Sequence, residues 1–202
     1  MSNSYKEELL QLTHEENWSP IILRTTPDIL TKILSYEECM SLAYDLFFKN
    51  LRDDDIQDFA VRLFFSIRDT YASDWSRDWK NDAFLGQLCG LTWRYDERYE
   101  CYKKAYDKLR DPPDSLLLLL AECNSAPGTP SISDGESETY LKRAIAKKLT
   151  YEAAIWMRGL ARSKNDQEQE KYWDKLSKEL EEKNIHTETI MPDILQNKPS
   201  TK

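Results

Sequence analysis

The stretch Leu88-Cys89-Gly90-Leu91 recurs in kind as Met157-Arg158-Gly159-Leu160, sixty-nine positions later. Each copy lies in an apolar run of helical spacing, followed by a charged turn and an aromatic-rich second run. That distance is two periods of about 34 residues, the length of a helix pair that buries its apolar face on the next pair. The composition agrees. Five glycines and eight prolines in 202 residues are too few for the tight turns of a sandwich or barrel, while Leu, Glu, Lys and Ala are plentiful. The predicted fold class is all-α: antiparallel helix hairpins behind an N-terminal helical cap.

The spacing of apolar residues places the helices. A short helix is expected over residues 4 to 16, ended by Trp18-Ser19-Pro20, with an extended connection through Thr25-Thr26-Pro27. From Ser35 as N-cap, Cys39, Met40, Leu42, Ala43, Leu46 and Phe47 form one buried stripe. Asp53, Asp54 and Asp55 open the clearest helix, with Ile56, Phe59, Ala60, Leu63, Phe64, Ile67 and Tyr71 on one face and acids where the helix dipole favours them. Residues 1–81 form this N-terminal region. Three helix pairs follow over 82–186: 82 to 94 with 97 to 110, Ser115 to Cys123 with Glu138 to Lys148, and Tyr151 to Ser163 with Asp166 to Lys183. Asp111-Pro112-Pro113-Asp114 separates the first two pairs. The Pro-, Gly- and Ser-rich run 124 to 135 is expected to be a mobile loop, and 187–202 an irregular tail with a disordered end.

On these residues the stretch 82 to 183 resembles tetratricopeptide or Sel1-like repeats. Gly90 falls at the family's small position in the first helix, with Trp93 three residues on and Tyr99, Tyr102, Tyr106 and Leu109 along the second helix. Gly159 takes the same position in the last pair, where Ala153 to Ala161 followed by Lys171-Tyr172-Trp173 is closer to the Sel1-like style. The second pair departs, with Cys123 or Asn124 where the glycine would fall. The resemblance implies a superhelix that binds protein through its concave face, and glycines that let two helices approach closely.

Charge and composition narrow the function further. A net charge of −8 with no dense Lys/Arg stripe opposes binding to nucleic acid or to an anionic membrane, and steers a basic partner instead. The longest apolar run, Leu116 to Ala121, is far short of the eighteen or so residues of a membrane span. The polar N-terminus, without an apolar core, predicts a cytoplasmic protein. Cys39, Cys89, Cys101 and Cys123 lie among apolar neighbours and read as small buried hydrophobes. Only His14 and His186 are present, with no metal-ligand spacing and no glycine-rich phosphate cradle, so neither a metal nor another cofactor is predicted.

Two clusters are the candidate partner-binding residues. Asp74, Trp75, Arg77, Asp78 and Trp79 set tryptophans and aspartates four apart, an aromatic face beside an acidic one if the stretch is helical. In the second, Tyr99, Tyr102 and Tyr106 fit one buried face, which leaves Arg94, Tyr95, Glu97 and their neighbours Asp96 and Arg98 exposed. Trp156 and Trp173 read as core residues of the last pair. The expected function is binding, not turnover: an adaptor, a chaperone-like factor or an immunity protein that masks a basic toxin, holding a protein or peptide in the helical groove. The alternative is an enzyme or small-ligand domain with a carboxylate site that no local pattern reveals.

Overall fold

The computed structural model describes residues 3–125 and 130–196. Among these the chain is all-helical, with thirteen α-helices packing in adjacent pairs. The centre of the expected mobile loop, 126–129, and the expected disordered end, 197–202, lie outside the described residues. The chain divides into two compact units: Met1–Asn81 with Leu91–Trp93 and Met191–Lys202, and Asp82–Gly90 with Arg94–Ile190.

In the first unit α1 (Asn3–His14), α2 (Trp18–Arg24), α3 (Pro27–Ile33), α4 (Tyr36–Phe48), α5 (Asp54–Thr70) and α6 (Ala72–Ser76) follow in order. The core lies between α4 and α5, with α2, α3 and α6 also against α5. All six stripe residues of α4 are buried, as are Ile56, Phe59, Ala60, Leu63, Phe64 and Ile67 of α5. Ser35 closes a capping box: its hydroxyl accepts Glu38 N–H at 3.2 Å and the Glu38 carboxylate accepts Ser35 N–H at 2.7 Å. Asp53 caps α5 by accepting Ile56 N–H at 3.1 Å.

The connection through Thr25-Thr26-Pro27, expected to be extended, instead follows one short helix, α2, and opens a second, α3. Pro20 and Pro27 both fall in a first turn, where the missing N–H had no intrahelical partner. Thr26 caps α3 through Ile29 N–H at 3.3 Å, and Tyr71, just past α5, donates its hydroxyl to the Thr31 carbonyl at 2.8 Å.

The second unit holds most of α7 (Lys80–Leu91), then α8 (Tyr95–Asp107), α9 (Asp114–Ala121), a 3-10 turn (Glu122–Ser125), α10 (Asp134–Lys147), α11 (Tyr151–Ser163) and α12 (Gln167–Glu182). Helix α9 packs on α8 and α10, and α11 on α10 and α12. The α9 run Leu116, Leu117, Leu118, Leu120 and Ala121 is buried. The loop flanks are built in: Ile132 is buried, and Ser133 and Glu136 form a second capping box for α10. After α12 the chain runs without regular secondary structure to Pro192, and α13 (Asp193–Gln196) packs on α4. Part of the expected irregular tail is thus a helical turn.

Glycine contributes differently from what the resemblance implies. A Cβ at Gly86 would lie 2.4 Å from the Tyr102 ring and 3.2 Å from the Arg98 carbonyl, so this glycine leaves the room that α8 occupies against α7. A Cβ at Gly90 would meet only the Arg98 side chain, at 3.0 Å, and one at Gly159 would meet nothing within 4 Å. Gly159 therefore has no close-approach role.

Four helices end in the same closure. Glu16, Trp93, Asn165 and Asn184 all take positive φ, and in each case the next residue's N–H returns to the carbonyl five residues back at 2.9 Å. Asparagine suits that position; a tryptophan there is a steric outlier.

Candidate functional site

Residues of α7, α9 and α11 line one cavity together with 187–190, part of the segment 185–190, which has no regular secondary structure. The Asn184 closure turns the chain out of α12, and Tyr151 N–H then donates to the Ile185 carbonyl at 2.9 Å. Glu152, in the first turn of α11, receives two groups of the segment: Thr187 N–H at 2.8 Å and His186 Nδ1 at 2.8 Å. The Thr150 and Thr187 hydroxyls lie 2.8 Å apart. Gln87 of α7 donates its amide to the Ile190 carbonyl at 3.0 Å, and the Ile190 side chain is buried while Glu188 and Thr189 are exposed.

Beside the segment is a cavity of about 150 Å³, lined by Gln87, Ser115, Leu118, Glu122, Glu152 and Glu188 among others. Burial pushes the Glu122 carboxyl up to about 7, against the hydrogen bond from Trp156 and the charge of Arg98. Trp156 Nε1 donates to Glu122 Oε1 at 3.1 Å. Burial also raises Glu152, but its hydrogen bonds from His186 and Thr187 outweigh that and hold it below the usual carboxylate range. Among the described residues no group of three His, Cys, Asp or Glu is placed to hold a metal ion.

A second, larger concavity of about 410 Å³ opens over α10, α11 and α12. Its floor is apolar, from Ile145, Met157, Leu160 and Trp173, and Glu138, Lys142 and Lys164 stand at its edge.

The structure disperses the first predicted cluster. Trp75 is in α6 and only 3% exposed, whereas Trp79 lies beyond the end of that helix, half-buried, so the expected aromatic face does not form. Asp74 and Arg77 pair with each other at 2.8 Å on the surface. Asp78 is a structural group: one carboxylate oxygen accepts Lys80 N–H at 2.9 Å and the other accepts Asp193 N–H at 3.0 Å. Lys80 completes the tie to Asp193 at 2.6 Å.

In the second cluster Glu97 is exposed and Arg94 and Tyr95 are half-buried, with Arg94 3.8 Å from Glu97. Arg98, expected on the surface, is buried at 9% exposure. Its guanidinium lies over the Tyr95 ring at 5.0 Å and Nη2 donates to the Glu122 carbonyl at 3.2 Å, while Nε has no hydrogen-bond partner. Trp93, three residues after Gly90, is 75% exposed. Its neighbour Leu91 is 64% exposed.

The groups on the α7, α9 and α11 face were not singled out by sequence, because Gln87, Glu152 and Ile190 are brought together only by tertiary folding. The resemblance to stacked helix pairs alone hinted at a shared face. No protein-family model, no curated protein and no solved structure matches the chain. No helix among the described residues is long and apolar enough to cross a membrane.

Proposed function

We propose that the protein is a non-catalytic interaction module, built on degenerate tetratricopeptide-like or Sel1-like helix pairs, that binds a protein or peptide in an adaptor, chaperone-like or toxin-immunity role. One observation carries this reading: side chains of α7 and α11 already hold main-chain groups of a non-helical segment, Glu152 on the Thr187 N–H and Gln87 on the Ile190 carbonyl. Side chains that pair with main-chain groups recognise conformation before sequence, which is how grooves take up extended peptides. The net charge of −8 favours a basic partner in the approach. Trp93 and Leu91 supply an exposed apolar pair of the kind that anchors interfaces.

The test is affinity capture at low and moderate salt with the wild-type chain and with Gln87→Trp, which fills the face from α7. A partner retained by the wild type, weakened by salt and lost with Gln87→Trp supports the reading. Equal capture by the variant moves binding off this face.

Glu122 favours a second reading, a small-ligand site. A half-ionised carboxyl beside Glu152 and a cavity of about 150 Å³ suits a compact amine or another cationic molecule. A thermal-shift screen with small amines and divalent cations separates the two, since a ligand of the folded state raises its melting temperature.

A further inference from the structure

The four buried thiols have unlike surroundings. Cys39 Sγ donates to the Leu30 carbonyl at 3.8 Å and Cys123 Sγ to the Leu119 carbonyl at 3.5 Å, so each is turned toward main chain. Cys89 of α7 and Cys101 of α8 are instead hydrogen-bonded to each other, at 0% and 1% exposure. Contact between two sulfurs is half of what a covalent bond between them needs. The other half is main chain close enough to bridge, with Cα atoms within roughly 4.4–6.8 Å.

The glycines speak to that second condition independently. A Cβ at Gly86 would lie 2.4 Å from the Tyr102 ring and 3.2 Å from the Arg98 carbonyl, a main-chain atom of α8, and a Cβ at Gly90 would lie 3.0 Å from the Arg98 side chain. Gly86 and Gly90 bracket Cys89 on α7, while Arg98 and Tyr102 bracket Cys101 on α8. Both cysteines therefore sit inside the patch where missing glycine side chains let the two helices come together.

We propose that Cys89 and Cys101 are a modification site, a dithiol pair that oxidises to an intramolecular disulfide joining α7 to α8. The oxidant class is a small-molecule disulfide such as oxidised glutathione. One cysteine thiolate attacks a glutathione sulfur and expels one glutathione thiolate; the other cysteine thiolate then attacks the mixed disulfide and expels the second. The cysteine pair loses two electrons, and its two protons end on two molecules of reduced glutathione. Because both thiols are buried, the first attack waits on local opening of the hairpin. The ring so closed contains Leu91 and Trp93, the exposed apolar pair, so oxidation staples the hairpin whose turn displays them. This inference goes beyond the binding-module reading and does not depend on it.

The experiment incubates the full chain with oxidised glutathione in sub-denaturing urea, returns it to buffer, and maps the digested product by mass spectrometry. The expected product has lost two hydrogens, joins the peptides that contain Cys89 and Cys101, and keeps Cys39 and Cys123 as thiols. Its melting temperature should rise by about 5 °C and fall back on reduction, because the cross-link closes a loop in the unfolded chain. Cys101→Ser should abolish the cross-link and retain glutathione on Cys89. The wild-type map decides by itself if that variant does not fold.

Absence of any cross-link after the urea exposure overturns the proposal, as do stable glutathione adducts on both cysteines or pairing of either with Cys39 or Cys123. A Cys89–Cys101 bond that lowers the melting temperature also overturns it, because the two helices must then distort to bridge. None of these readouts needs a partner, so failure of the capture experiment and failure of this inference are separable.

Discussion

Trp156 Nε1 donates to the Glu122 carboxylate at 3.1 Å, and this indole is the neutral donor that meets a carboxyl pushed by burial to about 7. A carboxyl whose folded-state pKa lies above its unfolded value binds its proton more tightly in the folded state. Stability is then greatest where Glu122 is protonated and falls as pH rises from about 4.5 to about 7. At about 1.4 kcal/mol per pH unit, the penalty at pH 8 is about 3 kcal/mol. Glu122→Gln keeps an acceptor for Trp156 and removes the charge. It should be about 2–3 kcal/mol more stable than the wild type at pH 8 and nearly equal at pH 5. Urea midpoints at the two pH values check this, and a gap that does not change with pH would refute the assignment.

Gly86 and Gly159 should respond in opposite directions to alanine. A methyl at Gly86 drives into the Tyr102 ring, which is itself buried, so Gly86→Ala should cost about 1–3 kcal/mol by overpacking. Gly159 lies on an exposed helix position with open space, so Gly159→Ala should gain about 1 kcal/mol from helix propensity alone. Thermal or urea denaturation of the two variants decides it. Gly90→Leu, which must displace the buried Arg98 side chain, belongs with Gly86 in sign.

Trp93→Gly should stabilise the protein by about 1 kcal/mol, because glycine takes the left-handed closing position of α7 without the steric cost that a side chain carries there. The indole is 75% exposed, so little burial is lost in return. Equilibrium unfolding measures the gain. If Trp93 anchors a partner, the same variant will be more stable and capture less.

All four cysteines are reduced thiols, and all four are buried. Burial pushes Cys39 up to about 12 and Cys123 up to about 11, and a hydrogen bond with Cys101 together with burial raises Cys89 as well. A thiol-specific reagent at pH 8 should therefore label none of them within minutes in the native protein and all four in denaturant. Rapid labelling of a single cysteine in native conditions would show a local opening around it.

The legible parts of the fold were those that one helix determines by itself. The stripe from Cys39 to Phe47 and its Ser35 cap lie within thirteen consecutive residues and needed no partner to be read, though the reciprocal Glu38 bond to Ser35 was not foreseen. Proline misled where its position in the turn mattered more than its presence, at Pro20 and Pro27. The candidate site was hidden for a different reason. Trp75 and Trp79 share a face only on an unbroken helix, and the chain leaves helix at Arg77. Arg98 is an ordinary surface residue by composition, and it is buried because Gly86 and Gly90 leave room for the chain that carries it. Glu152 and Gln87 carry no local pattern, since what they bind arrives from a hundred residues away in one case and from thirty-five in the other.

The bond from Asp193 N–H to Asp78 closes a span of 115 residues, and the whole of the second unit is written between those two positions. The first unit is therefore discontinuous along the chain, drawing on Leu91–Trp93 and on the residues after Ile190 as well as on the N-terminal helices. A cut after Asn81 leaves the first fragment without α13, which packs on α4, and without Asp193, whose N–H donates to Asp78 and whose carboxylate accepts from Lys80. Reassembly of such fragments would have to occur in trans, by complementation between two chains, and not by independent folding of each piece.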